Sequence, residues 1–400
     1  METNQIKISK SYTKLAAINE FLKVDIDKLK KGNLYRRLRI VENDNGSLKV
    51  ANKKIINFNS NDYLGLSSNR QIIKNTLRDF DEISQCSSRL VGGNNKSIEK
   101  LEEVLSKHRK TQSSLVYTTG YSAVLGVIST LADSNTTIFS DELNHASIID
   151  GCRLSNAKVK IFRHNDTKHL LNQLRGITGK KILVTEGIFS IEGDMSNLNS
   201  ICNLAKEFDL FTIIDDAHGD FIFGKNGSGT PSELKVNKLI DVHVSSLSKA
   251  LGCFGGYVAC NDLVRDYLIN RSRQFIFTSA LPTHLCNSAL KAIFIAKEGT
   301  LQRKLFKNVK FLHNGLKKIG YDIGKSVSQI VSIHINSENF AVKFGNKLLQ
   351  KGIFVYPMRF PTVRKGHAVL RLSLTAAHTK EQLDYTLEEL KNIGKEFKVI

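Results

Sequence analysis

The stretch Val244 to Ala259, VSSLSKALGCFGGYVA, places one lysine, Lys249, at the end of an apolar run among serines and glycines. The chain holds 58 Lys and Arg, most of which belong on solvated helix faces; a lysine in this setting is neutral, paired or covalently bonded. Upstream, the apolar segment Phe211–Ile214 runs into Asp215, Asp216, Ala217, His218 and Gly219. An aspartate at a strand end is, by itself, ordinarily a turn former or a helix cap. Lys249 changes the meaning of the D-x-x-H spacing. A carboxylate can hold a protonated heterocycle nitrogen, an imidazole can sit beside a phenolic oxygen, and a lysine can form a Schiff base with an aldehyde. Those are the three groups that pyridoxal 5'-phosphate (PLP) requires from a protein to act as an electron sink.

Other residues at comparable places add to the set. Thr118, Thr119, Gly120 and Tyr121 follow the strand-like Ser114–Tyr117 and open the helix expected at Ser122–Leu131. Free N–H groups at a helix start bind phosphate, and glycine permits close approach. His145 offers an aromatic face that could stack on a cofactor ring, Ser190 a hydroxyl, and Ser246 and Ser248 further phosphate contacts.

These residues need a scaffold. Apolar strands are expected at Ser114–Tyr117, Thr137–Phe139, Lys158–Phe162, Lys181–Thr185, Phe211–Ile214, Ile240–Val244 and Gly256–Ala259, with helices between them. The alternation specifies an α/β fold with a mostly parallel seven-stranded sheet covered on both faces. In such sheets ligands sit beyond the carboxyl ends of the strands, where the candidate residues cluster. Helix Leu301–Ile319, strands Gln329–Ile335, Ile353–Pro357 and Ala368–Leu374, and helix Lys380–Phe397 predict a smaller C-terminal α+β unit. The expected division is a helical arm over residues 1–50 with a turn at Asn43–Gly46, a large PLP-binding domain over 51–290 and the small domain over 291–400.

The net charge of +20 is spread along the chain without a zinc-finger, RNP or helix-turn-helix pattern, so a nucleic-acid partner is not expected. Dispersed basic charge suits anionic substrates. Six cysteines without CxxC pairs or histidines at zinc spacing imply reduced thiols in the cytoplasm and no metal, and no apolar run predicts a membrane span.

The segments NFNSNDYLGL, SRLVGGN, VTEGIFSIEGD, IIDDAHG, SLSKALGCFGGYV and RFPTVRKGHAVLRLSLTAAHT resemble, in order, those of the α-oxoamine synthases. These are PLP-dependent acyltransferases of the aspartate-aminotransferase fold (fold type I). The resemblance runs from about Arg36 to the C-terminus and is nearest to the biotin-pathway members. It implies that Lys249 carries the cofactor, Asp215 bonds the pyridine nitrogen, His218 contacts the phenolic oxygen and His145 stacks on the ring. Gly120, Tyr121 and Ser246 would hold the phosphate, Ser190 would lie beside the cofactor, and Thr278 would reach the phosphate from the partner subunit of a homodimer. Arg371 would bind the amino-acid carboxylate, and Arg36 and Thr362 would touch substrate. The family commonly has a glycine pair where Cys86, Ser87 and Ser88 precede Arg89, and a histidine where Ile98 stands.

The implied reaction is a decarboxylative condensation of an amino acid, L-alanine in the biotin branch, with an acyl thioester such as pimeloyl-CoA or pimeloyl-acyl carrier protein. The alternatives are the family's glycine C-acetyltransferase, 5-aminolevulinate synthase and serine palmitoyltransferase branches. A scaffold or nucleic-acid-binding protein built on the same fold would not need Lys249, Asp215 and His218 together.

Overall fold

A computed structural model describes residues 2–32, 34–36, 38, 40–44, 47–50, 53–78, 80 and 82–400. The chain opens with helix Glu2–Lys31. Strands Glu42–Asp44 (β1), Ser47–Val50 (β2) and Lys53–Asn57 (β3) follow, so the helical reading of residues 1–50 ends at Lys31. The expected turn at Asn43–Gly46 lies partly outside the described residues. Alternating Ile55 and Leu48 bury one face of the antiparallel β2–β3 pair, a pattern of period two that the Lys-rich composition obscures.

The central sheet comprises Ser113–Tyr117 (β4), Thr136–Asp141 (β5), Lys158–Phe162 (β6), Lys180–Glu186 (β7), Phe211–Asp215 (β8), Val242–Ser246 (β9) and Gly256–Cys260 (β10). Its order is β4-β10-β9-β8-β7-β5-β6, and only β10 runs against its neighbours. Helices Gly120–Leu131 and Ala146–Leu154 pack on one face with Ile182, Val184, Ile213 and Val244; Leu170, Ile201 and Ala205 cover part of the other with Phe139 and Leu183. Cover on both faces is why the inner strands β7 to β10 are buried for most of their length, whereas the edge strand β6, with Lys158 and Lys160, is largely exposed. It also sorts their last residues. Asp215 shares the face of Ile213, and Asp216 continues the opposite face of Ile214.

Strand β9 starts two residues later than the expected Ile240–Val244. The Asp241 carboxylate accepts the Thr212 N–H (2.7 Å) and hydroxyl (2.8 Å), which ties that segment down ahead of the ladder.

The C-terminal unit pairs Ile330–His334 (β11) with Val369–Ser373 (β14). The strand expected at Ile353–Pro357 divides into Ile353–Phe354 (β12) and Pro357–Met358 (β13). The Asn59 side chain separates them by accepting the Tyr356 N–H (2.7 Å) and donating to the Phe354 carbonyl (3.0 Å). β12 joins β3 in parallel and β13 joins β14, so the residues just after the N-terminal helix fold onto the C-terminal unit. Helices Thr300–Ile319, Glu338–Gln350 and Lys380–Glu396 complete it.

Candidate active site

Gly120 begins its helix two residues before the expected Ser122, because Thr119 and Ser122 cap the helix reciprocally. The helix then opens on the Gly120 and Tyr121 amides, which have no intrahelical acceptor. This turn sits directly on the ends of β9 and β10. A Cβ on Gly256 would collide with the Gly120 amide, and one on Gly120 would lie 2.9 Å from the Ser246 Cβ. At Gly256 backbone meets backbone, and at Gly120 the Ser246 side chain occupies the space a Cβ would need.

Beside this cradle, Lys249 Nζ lies 2.9 Å from His218 Nε2, and His218 Nδ1 lies 2.6 Å from the Tyr63 hydroxyl. Tyr63 reaches Asn61 Oδ1 (3.1 Å), which also accepts from Arg371 Nη2 (3.3 Å). Arg371 is further held by the Ser190 carbonyl (2.6 Å) and the Ser373 hydroxyl (2.7 Å), which employs three of its five N–H groups. The His218 carbonyl accepts from Gln329 Nε2 (2.8 Å). One connected network thus joins the ends of β7, β8 and β9 to β11 and β14 of the C-terminal unit.

Asp215 accepts the Ala217 N–H at 3.0 Å and forms no ion pair among the described residues. His145 caps its own helix by accepting the Ser147 N–H. Burial lowers the proton affinity of Lys249, with Asp215 and Glu186 opposing and Arg371 assisting. Burial, then the Lys249 and Arg371 charges, hold His218 well below the ordinary imidazole value, and burial lowers His145. A lysine with lowered proton affinity beside a neutral imidazole is equipped for carbonyl addition and proton transfer.

Lys249 and His218 therefore meet directly, as do Arg371 and the Ser190 carbonyl, and Tyr63 and Asn61 join the two pairs, with Gly120, Ser246 and Asp215 at the adjoining strand ends. Arg36 and Thr362 pair with each other instead (3.2 Å). Thr362 lines a cleft of about 480 Å³ with Asn144, Ile149, Phe189, Ile191 and Phe360. Thr278 is half-buried and lines a small crevice with Thr118 and Arg89 of the same chain. Sequence reasoning assigned no role to Asn61, Tyr63 or Gln329. The first two lie in the quoted NFNSNDYLGL, whose polar residues within an apolar segment were the available signal; Gln329 carried none.

The sequence matches the family described as aminotransferase class I and II over residues 53–390. The chain belongs to that family. It is 37% identical to the 8-amino-7-oxononanoate synthase of Thermoanaerobacter pseudethanolicus over 95% of this chain and 98% of the relative. It is 38% identical to that of Lysinibacillus sphaericus over 96% and 100%. Among solved structures, a serine palmitoyltransferase from S. paucimobilis, bound to a PLP-myriocin adduct, superposes with a TM-score of 0.90 at 27% identity, covering 96% of this chain and all of that one. The 8-amino-7-oxononanoate synthase of Francisella tularensis gives 0.74 at 30% identity, covering 86% and 99%. The fold is the PLP-dependent fold type I expected from the sequence.

Proposed function

We propose that the protein is a PLP-dependent C-acyltransferase that condenses L-alanine with a pimeloyl thioester to give 8-amino-7-oxononanoate, a step of biotin biosynthesis. The near full-length identity to synthases of that name carries this reading. The residues fit the cofactor: a glycine-backed helix start for a phosphate, an unpaired Asp215 carboxyl, and a buried amine held on an imidazole. PLP bound there supplies an electron sink for charge developing at the amino-acid α-carbon.

The chain's own residues do the rest. The Gly120 and Tyr121 amides and Ser246 would hold the phosphate, Asp215 would face the ring nitrogen, His218 the phenolic oxygen, and His145 would cover the ring beside Ser190. Lys249 Nζ would hold the aldehyde and would take the α-proton, with His218 orienting it. Arg371 presents its two remaining N–H groups to the alanine carboxylate. Overall, a C–C bond forms between the alanine α-carbon and the acyl carbonyl, the C–S bond breaks to release thiol, and the alanine carboxylate leaves as carbon dioxide, a proton taking its place at the α-carbon. Thr362 would line the acyl cleft, with Arg36 bonded to it, and the basic surface suits CoA or acyl carrier protein.

A homodimer with shared sites belongs to this reading, with Thr278 serving the partner's phosphate; Phe277, its neighbour, is 69% exposed and available to an interface. The described residues include no helix long and apolar enough to cross a membrane. The test is a panel of alanine, glycine and serine against pimeloyl, acetyl, succinyl and palmitoyl thioesters, following thiol release. Alanine with the pimeloyl thioester should give the highest kcat/KM. Preference for serine with the palmitoyl thioester would replace this reading with that of the S. paucimobilis structure.

A further inference from the structure

Strand β7 ends on Glu186, a carboxyl with no part in the chemistry above. In the parallel β7–β8 ladder Glu186 is the register partner of Asp215, and paired residues of adjacent strands project on the same face. Glu186 is 2% exposed, and its Oε1 has no hydrogen-bond partner among the described residues. Its surroundings are Asp215 on β8, Lys249 after β9, Asp141 on β5 and the backbone amide of His145. The side chain therefore sits under the stacking histidine and beside the ring-facing aspartate.

Two carboxyls this close in a dry site do not both ionise; one keeps its proton. Burial, then the Asp215 charge, push the proton affinity of Glu186 well above the ordinary carboxylate value, while Lys249 and the His145 amide act in the other direction. A second negative charge here would also oppose electron density arriving on the cofactor ring.

We propose that Glu186 is a positioning residue of this site: buried beside Asp215 with an unpartnered oxygen, it stays neutral, puts no second negative charge behind the ring-facing carboxyl, and fills the space at the end of β7. The inference rests on reading the site as a PLP site. Glutamine is the informative substitution, since it is neutral at every pH and keeps the shape of the side chain.

The experiment compares wild type, Glu186→Gln and Glu186→Ala in two measurements. The first is the infrared carbonyl band of a protonated carboxyl in the cofactor-free protein, which Glu186→Gln should remove. The second is PLP affinity of the cofactor-free protein from pH 6 to 10, followed by absorbance. Wild-type affinity should weaken toward alkaline pH as Glu186 ionises. Glu186→Gln should match the wild-type neutral-pH affinity and lose that dependence, whereas Glu186→Ala, which leaves a void at the end of β7, should bind about tenfold more weakly. A wild-type-minus-Glu186→Gln infrared difference with no carboxyl band lost, or glutamine binding as weakly as alanine, overturns the neutral Glu186. Wild-type protein that binds no PLP overturns the reading of the site itself, an outcome separate from either.

Discussion

Asp215 and Asp216 are sequence neighbours on opposite faces of the sheet, and their surroundings differ in kind. Asp215 keeps its carboxyl available, with one backbone N–H as its hydrogen bond. Asp216 is enclosed. Its Oδ2 accepts from Arg109 Nη1 (2.9 Å) and the Thr230 N–H (3.0 Å). Arg109 also donates to the Tyr257 hydroxyl (3.0 Å) and pairs with Asp220 (3.2 Å), which in turn bonds His108 (3.0 Å). Cβ atoms at Gly187, Gly219 or Gly229 would collide with the Asp216 carboxyl, so three glycines make its room. Burial raises Asp216 to about 6 against the opposing Arg109, whereas at Asp220 the pull of Arg109 and His108 outweighs burial and lowers it to about 2. One carboxyl is committed to holding the fold beneath the site; the other forms no ion pair among the described residues.

The most damaging way to break this contrast is Arg109→Ala, which strands two buried aspartates. Denaturant titration should show a loss of about 3–5 kcal/mol, the usual consequence of removing one member of a buried ion network. A loss below about 1 kcal/mol would mean that the enclosed cluster is not structural. Next comes the exchange of the two aspartates' fates. Asp215→Asn should reduce the rate of condensation about a hundredfold at an unchanged denaturation midpoint, the scale of removing one preorganised electrostatic partner. Asp216→Asn should do the reverse, lowering the midpoint while the folded fraction keeps its turnover. Equal loss of activity in both variants would erase the distinction drawn here.

The smallest effect belongs to a third cluster at the rim. His164 bridges Asp141 (3.0 Å) and Asp194 (2.9 Å); although burial works against its charge, the two carboxylates raise it to about 10. A raised histidine contributes stability that is complete below its unfolded value of about 6.5 and disappears as pH climbs through the folded one. Wild type should therefore lose thermal stability between pH 7 and 10, and His164→Gln should flatten that decline without moving the acid side. An unchanged alkaline slope would remove the charged bridge.

The β-α alternation was legible because the inner strands hold apolar cores such as Ile182–Val184 and Ile213–Ile214, and the strand ends brought Lys249, His218 and the Gly120 turn to one edge. Three things were not. The hairpin before Lys53 was hidden because its strands, Glu42–Asp44 and Ser47–Val50, are short and mostly polar. Tyr63 and Asn61 reach His218 and Arg371 across the fold, a contact that no local spacing encodes. The separate tasks of Asp215 and Asp216 depend on which face of β8 each occupies, and that parity becomes certain only when Ile213 and Ile214 are assigned to different cores. Cys86 shows the same limit in reverse. It adopts φ of +51°, which explains why glycine is common there, but the sequence displays only the departure.

Arg371 belongs to the C-terminal unit, yet it is fastened to the Ser190 carbonyl and, through Asn61, to the network around Lys249. A long cationic side chain normally surrenders its rotamer freedom when a ligand arrives, at a cost of about 0.5–1.5 kcal/mol. Here that freedom is given up during folding. Under the proposed function an incoming carboxylate would meet a guanidinium already aimed, and discrimination between amino acids would be left to whatever lies around the α-carbon and not to the grip on the acid group.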